Sequence, residues 1–409
     1  MRLKTTRYAM ALLAGAALGS ATPAFAKPIS VKPIIDTRLR YEHVDQQGLG
    51  RDADAVTARI RAGAEISLDD WSLLAEGEAT LAISERYDSG VNGKTRYPIV
   101  ADPQNVELNR FQLQYRGLAG TTVTAGRQRI NLDDQRFVGS SGWRDNEQTF
   151  DAARVETKIL KNLKADVTYA WSVRTIWGID GKGARQQAIG GDNLFANLAY
   201  TTPYGTLTGF AFLVDQDEAA VQGFRLSNQT FGVRFAGSRP LSTKVKLNYS
   251  VSYARQSDHH RNPNDYVANY YALEAGLDVA ALKLGLGYEV LGADDGRPLT
   301  SVQTPLATLH KFQGWADKFL TTPPNGVRDL YASAGYGWKN VAGFDAINAA
   351  VIHHRFDSDR LGIAYGSEWD AMVAAKRGRW TVTAKLADYR ARSFASDTRK
   401  IWLMLEWAY

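Results

Sequence analysis

Apolar and polar residues alternate one for one along most of this chain, and that period excludes most folds. Trp71, Leu73, Ala75, Gly77, Ala79, Leu81 and Ile83 form one face of an extended segment. The other face carries Ser72, Glu76, Glu78, Thr80 and Ser84. Ala165 to Val173, Val245 to Tyr253, Leu282 to Val290 and Ile401 to Tyr409 repeat the pattern. Alternation over nine or more residues marks a strand with one apolar and one polar face.

About eighteen segments read this way. They run roughly 33–43, 55–68, 71–85, 105–117, 120–130, 150–160, 163–174, 192–202, 205–215, 228–238, 243–256, 268–280, 282–292, 328–338, 345–355, 366–377, 379–391 and 398–408. The segment at 205–215 keeps poor parity, and 379–391 shifts near Ala387. Links after even-numbered segments are short, as at Asp69-Asp70, Lys161-Asn162, Pro203-Tyr204 and Arg377-Gly378. Most links after odd-numbered segments are long: 86–104, 131–149, 175–191 and 293–327. Short turns on one rim and long loops on the other predict a transmembrane antiparallel up-and-down β-barrel, all-β, with short periplasmic turns and long extracellular loops.

The physics agrees. Lipid offers the backbone no hydrogen-bond partners, so a spanning sheet must close on itself. About nine to eleven tilted residues cross the hydrocarbon. Trp71, Trp171, Trp338, Trp369, Trp380 and Trp407 fall near segment ends, where aromatic girdles form. Outer-membrane lipid is thus an expected partner. The alternating last segment ends in Trp407 and Tyr409, and resembles the signal that porins present to the outer-membrane assembly machinery.

The first residues carry Arg2, Lys4 and Arg7, then an apolar run from Ala11 to Leu18, then Ala24-Phe25-Ala26. That is a secretory signal peptide over 1–26, and it predicts export, a cleaved leader and one barrel domain over 27–409 in a Gram-negative outer membrane. Without the leader, 46 Lys+Arg stand against 43 Asp+Glu, too near balance to imply a nucleic-acid partner. The chain has no cysteine, so disulfides and cysteine metal sites are excluded.

An eighteen-strand barrel has room for water, and the polar faces would line it. They hold Arg110, Arg116, Arg154, Lys158, Lys164, Arg174, Arg234, Lys246, Lys283 and Lys385 against Glu76, Glu78, Glu156, Asp166, Glu274, Asp278, Glu289, Glu368 and Asp370. These charges either pair across strands or form a selectivity wall. One stretch is denser still: residues 126–154 place Arg127, Arg129, Arg136, Arg144 and Arg154 among Asp133, Asp134, Asp145, Glu147 and Asp151. Arginine suits the gripping of carboxylates and phosphates through paired donors. The same arginines could instead pair with the acids beside them. By parity Arg127 and Arg129 share a face and would both point into the pore. Asp133, Asp134 and Asp145 could bind a cation such as calcium, but no regular ligand spacing marks a metal site, and no cofactor is implied.

The longest loop holds Leu306, Leu309, Phe312, Trp315, Phe319 and Leu320 at roughly helical spacing, ended by Pro323-Pro324. The spacing predicts a short amphipathic helix at the pore mouth. His310, Lys311 and Asp317 would form its polar face, and with Trp315 they are candidates for an inward-facing loop.

At these two loops the sequence resembles the alginate-export family of outer-membrane porins. GRQRINLDDQRFVGSSGWRDNEQTFDA and TPLATLHKFQGWADKFL carry the likeness, which extends over most of the chain after the leader. The resemblance implies an eighteen-stranded barrel with an arginine-rich pore for a polyuronate. It also implies Arg127, Arg129, Arg136, Arg144 and Arg154 as pore residues. The near balance of charge departs from a strongly basic pore. Two functional readings follow. One is a channel for anionic or sugar-like solutes, uronate oligomers or polymers among them, in which no residue is catalytic. The other is an outer-membrane hydrolase using His310, which requires a serine hydroxyl in reach of that ring.

Overall fold

The computed structural model describes residues 28–218 and 223–409, so the expected signal peptide lies outside the described residues. Eighteen strands form one closed antiparallel sheet. They are β1 (Ser30–Gln46), β2 (Ala53–Leu68), β3 (Trp71–Arg86), β4 (Asn105–Tyr115), β5 (Thr121–Gln128), β6 (Thr149–Leu160), β7 (Leu163–Arg174), β8 (Ala188–Thr202) and β9 (Gly205–Val214). The series continues with β10 (Asn228–Pro240), β11 (Val245–Asp258), β12 (Val267–Val279), β13 (Leu282–Leu291), β14 (Val327–Val341), β15 (Phe344–Asp357), β16 (Ala364–Arg377), β17 (Trp380–Ala391) and β18 (Thr398–Ala408). Each pairs with its sequence neighbours, and β1 closes the ring on β18 from Asp36 opposite Ala408 to Gln46 opposite Thr398. Among the described residues no edge is left unpaired, which is what a sheet in hydrocarbon requires.

The alternation sorts side chains as the period demands. Along β3, Trp71, Leu73 and Leu81 are exposed on the outer face, while Ser72, Glu76, Glu78 and Thr80 are buried inside. The outer wall is a continuous apolar belt that includes Val106, Leu286, Leu403 and Phe111. In water, each such side chain would forgo about 1.5–3 kcal/mol of burial. In a bilayer the belt meets hydrocarbon instead. Trp71, Trp338, Trp380 and Trp407 ring the short-turn end, and Trp171 and Trp369 lie toward the long-loop end.

Two irregular readings of the sequence find their cause here. The poor parity of 205–215 arises because Phe210, Phe212 and Val214 of β9 are apolar yet face inward. The shift at Ala387 is not a slip, because β17 pairs with β16 in unbroken register. Polarity inverts there: Ala387 and Tyr389 are buried inside, while Asp388 and Arg390 face out near the rim. In both places the inner face meets a loop folded into the lumen. The expected amphipathic helix is a correction: between β13 and β14 the chain forms only a 3-10 turn at Leu309–Lys311. The spacing of its apolar residues reflects packing onto the wall rather than one helical face.

Candidate functional site

The loop after β5 (129–148) and the loop after β13 (292–326) enter the lumen and join. Gly139 N donates to Leu306 O at 2.9 Å, and Thr308 N to Gln135 O at 3.1 Å. Gln148 Nε2 reaches both Gly139 O (2.7 Å) and Leu306 O (2.9 Å). Arg136 fastens the pair to the wall: its Nε lies 2.7 Å from Glu289 of β13, and its other nitrogens reach Thr304 (3.1 Å) and Gln313 (3.2 Å).

The apolar side of this bridge packs against the inward phenyl rings. Phe137 lies 5.4 Å from Phe210 and 5.2 Å from Tyr270, ring centre to ring centre. Phe319 sits among Phe356, Tyr365, Tyr389 and Phe394. Trp315 N and Ala316 N donate to the carboxylates of Asp370 (3.3 Å) and Glu368 (2.7 Å) on β16. Between β16 and this turn there is room only for glycine: at Gly314, with φ +77°, a Cβ would stand 2.5 Å from the Glu368 carboxylate.

The charged side of the bridge meets β1 and β2. Arg38, Arg40, Arg59 and Arg61 form a basic ladder on the inner wall, and three of them hold the first loop. Asp145 Oδ1 lies 3.3 Å from Arg38, its Oδ2 accepts from Thr57 at 2.6 Å, and its backbone oxygen accepts from Arg61 at 2.8 Å. Burial works against the Asp145 carboxylate, but Arg40 and Arg38 hold it below the usual range. Glu147 pairs with Arg61 and Arg129. Arg40 bonds Asp102 at 2.8 Å and stacks 4.5 Å from the centre of Trp143. This ladder was not among the expected site residues, although the alternating Arg38-x-Arg40-x-Glu42 and Arg59-x-Arg61 are its signal in the sequence.

Where the loops cross, Arg144, His310 and Asp317 come together. Arg144 lies 2.8 Å from Asp317, which also takes Lys400 of β18 at 2.9 Å. Burial would raise the Asp317 carboxyl, yet Lys400 and Arg144 keep it well below its ordinary value. His310 stacks on Trp143 with ring centres 4.3 Å apart. Its Nδ1 faces Asp317 at 2.8 Å and its Nε2 faces Lys385 at 3.0 Å. Burial pushes the imidazole down to about 3, so the ring is neutral. The Lys385 ammonium stands over Trp143 (3.9 Å) and Trp315 (3.7 Å), a cation–π clamp across both loops. Both His310 nitrogens thus face charged partners, where the hydrolase reading needs a serine hydroxyl.

The remaining expected residues disperse. Arg127 does not face the lumen: it shares the outer face with Phe111, forms a paired contact with Asp151 (2.8 and 3.0 Å), and leaves Arg129 alone to point inward. Arg127 and Arg129 do not share a face because β5 ends at Gln128, which leaves Arg129 outside the strand. Arg110 grips Glu76 (2.6 Å), Arg154 grips Asp166 (2.9 Å) and Arg174 lies 3.3 Å from Glu107. Asp133 accepts from Asn197 at 2.9 Å, Asp134 lies 3.2 Å from Arg234, and Lys311 donates to Asp134 O at 2.7 Å. Asp133, Asp134 and Asp145 therefore have separate partners rather than a common cation site. Of the first loop's arginines, Arg136 and Arg144 pair with acids from distant strands and from the second loop, not with their sequence neighbours.

Above this crossing lies a cavity of about 880 Å³ between the long loops. Trp143, Arg144, His310, Asp317 and Lys400 contribute to its lining. So do Arg185, Arg225, Lys318, Asp88 and Glu218, giving five cationic side chains and three carboxylates.

Residues 34–290 match the family described as alginate export. The chain belongs to the alginate export family. Its members are outer-membrane porins, and the fold agrees. No curated protein matches the sequence. Among solved structures, OpdK of Pseudomonas aeruginosa is 14% identical with a TM-score of 0.69, over 93% of this chain and 98% of that one. OccAB4 of Acinetobacter baumannii is 13% identical with a TM-score of 0.67, over 95% of this chain and all (100%) of that one. OpdO of Pseudomonas aeruginosa is 15% identical with a TM-score of 0.67, over 93% of this chain and 95% of that one. At such identities the likeness speaks for the barrel alone. The alginate-export chain is thus an outer-membrane barrel in a lipid environment, read correctly from its alternation.

Proposed function

We propose that this porin passes small anionic solutes one at a time, and that the cavity above the loop crossing is where they are received. The observation that carries the reading is the excess of cationic over anionic side chains lining that cavity, five against three. Fixed charge near a constriction sets which ions enter. The two joined loops favour a solute of one or a few rings over an extended polyuronate, since a cavity of about 880 Å³ holds a small molecule and not a polymer. Among the fold relatives, OpdK is known in a structure with vanillate, a solute of that size. No catalytic residue belongs to this reading, because His310 serves to join the two loops. The C-terminal strand with Trp407 and Tyr409 is the segment offered to the outer-membrane assembly machinery.

Reversal potentials in planar bilayers under a KCl gradient test it. The wild-type channel should prefer chloride, and the double change Arg185→Glu, Lys318→Glu should weaken or reverse that preference. A wild-type channel with no anion preference would falsify the proposal.

A further inference from the structure

We infer that Lys318 anchors the anionic head of the solute, in a site that takes a small carboxylate with a largely apolar body. The inference rests on the channel reading above and gives it a chemical class.

The crossing is rich in cations, but most are already committed. Arg144 and Lys400 share Asp317 at 2.8 and 2.9 Å, and Arg144 has Asp102 and Glu42 nearby at 3.7 and 3.8 Å. Lys318 differs. Its ammonium donates to a neutral acceptor, Gln46 Oε1, at 3.2 Å, and no carboxylate of the described residues forms an ion pair with it. It lines the cavity and is only half-buried, so a solute can reach it. A half-buried ammonium without an ion pair gains more from an arriving carboxylate than one already paired.

The walls around it set the body of the solute. The same cavity is lined by polar side chains, Gln148 among them, and by the aliphatic Ile176, Leu299, Leu306, Leu309 and Leu320. A sugar acid would press hydroxyls against these side chains, and each hydroxyl left without a partner is costly. A benzoate-like acid presents one charged head and an apolar ring, which suits an ammonium without an ion pair in a cavity that also offers aliphatic side chains.

Burial, together with the neighbouring charge of Lys400, brings the Lys318 ammonium down to about 8. The carboxylates of Asp317 and Glu368 oppose that shift. The ammonium is therefore charged below pH 8 and loses its proton above it, so carboxylate binding should weaken as pH rises from 7 to 9.

Isothermal titration of the full mature chain in detergent micelles with sodium benzoate and sodium glucuronate tests the assignment without needing current. Benzoate should bind at least about tenfold tighter than glucuronate. Lys318→Met should weaken benzoate about ten- to a hundredfold, the range of one charge-assisted hydrogen bond. Lys318→Arg should keep the affinity at pH 7 and remove its loss at pH 9, which shows that the position tolerates substitution. Unchanged benzoate affinity in Lys318→Met, or no benzoate binding by the wild type, overturns the anchor. Glucuronate binding as tight as benzoate overturns the apolar body. A chain that binds benzoate but shows no anion preference in bilayers overturns the channel reading and leaves the site standing.

Discussion

The two loops that fill the lumen reach the same place by different means. The loop after β5 is held by charge: Asp145 and Glu147 grip Arg38 and Arg61, and Arg136 and Arg144 grip Glu289 and Asp317. The loop after β13 leans more on shape: Phe319 lies in a nest of four aromatic rings, with Ala316 N bonded to Glu368 and Asp317 paired with Lys400 beside it. Charge fixes a loop while leaving cations beside the solute path. Packing fixes a loop without regard to what passes. A channel that needs both rigidity and selectivity can divide the two tasks between two segments.

The largest effect should come from breaking the packed loop. Phe319→Ala removes a buried ring and should cost about 3–5 kcal/mol. Guanidinium unfolding in lipid vesicles would show it, with faster protease cleavage within 292–326 and a larger single-channel conductance. Unchanged cleavage would mean that the aromatic nest does not hold this loop. A smaller loss, about 1.5–3 kcal/mol, is expected for Asp145→Asn, which keeps shape but removes charge from Arg38 and Arg40. That variant should also be more anion-selective than wild type, and an unchanged reversal potential would separate the ladder from the solute path.

Acid should act on the joint between the loops. His310 has its value lowered from the ordinary 6.5 to about 3 by burial, so the unfolded imidazole takes up a proton before the folded one does. Stability of the seated loops should therefore be level above pH 6.5 and fall as the medium is acidified toward 3. His310→Phe should flatten that slope in a pH series of loop cleavage. The least effect belongs to Arg127→Gln on the outer face, at about 0–1 kcal/mol with no shift in reversal potential, because the Arg127–Asp151 pair is partly exposed and faces away from the lumen.

The barrel was legible in the sequence because its physics is local: a period of two needs only neighbouring residues to be seen. The loops were legible only in part. That Arg136 and Arg144 sit in a charge-lined interior followed from their density, but their partners Glu289 and Asp317 lie 153 and 173 positions away, beyond the reach of any local pattern. Arg127 was misplaced because β5 ends at Gln128, two residues short of the expected end, so the inward face of Arg129 beyond the strand says nothing about the face of Arg127. The apolar spacing around Phe312 and Trp315 read as a helix because wall-packing leaves similar gaps. Lys318 left no mark at all, since its lack of an ion-paired carboxylate shows only in space.

Arg38 belongs to the first strand, yet its guanidinium bonds Glu406 of the last strand at 2.9 Å and the backbone of Trp143 in the first inward loop at 2.9 Å. Trp402 of the last strand packs edge-on against the same Trp143. The join between the two ends of the sheet is therefore fastened from within by the first inward loop. A ring without its final strand would lack part of the wall against which that loop is held.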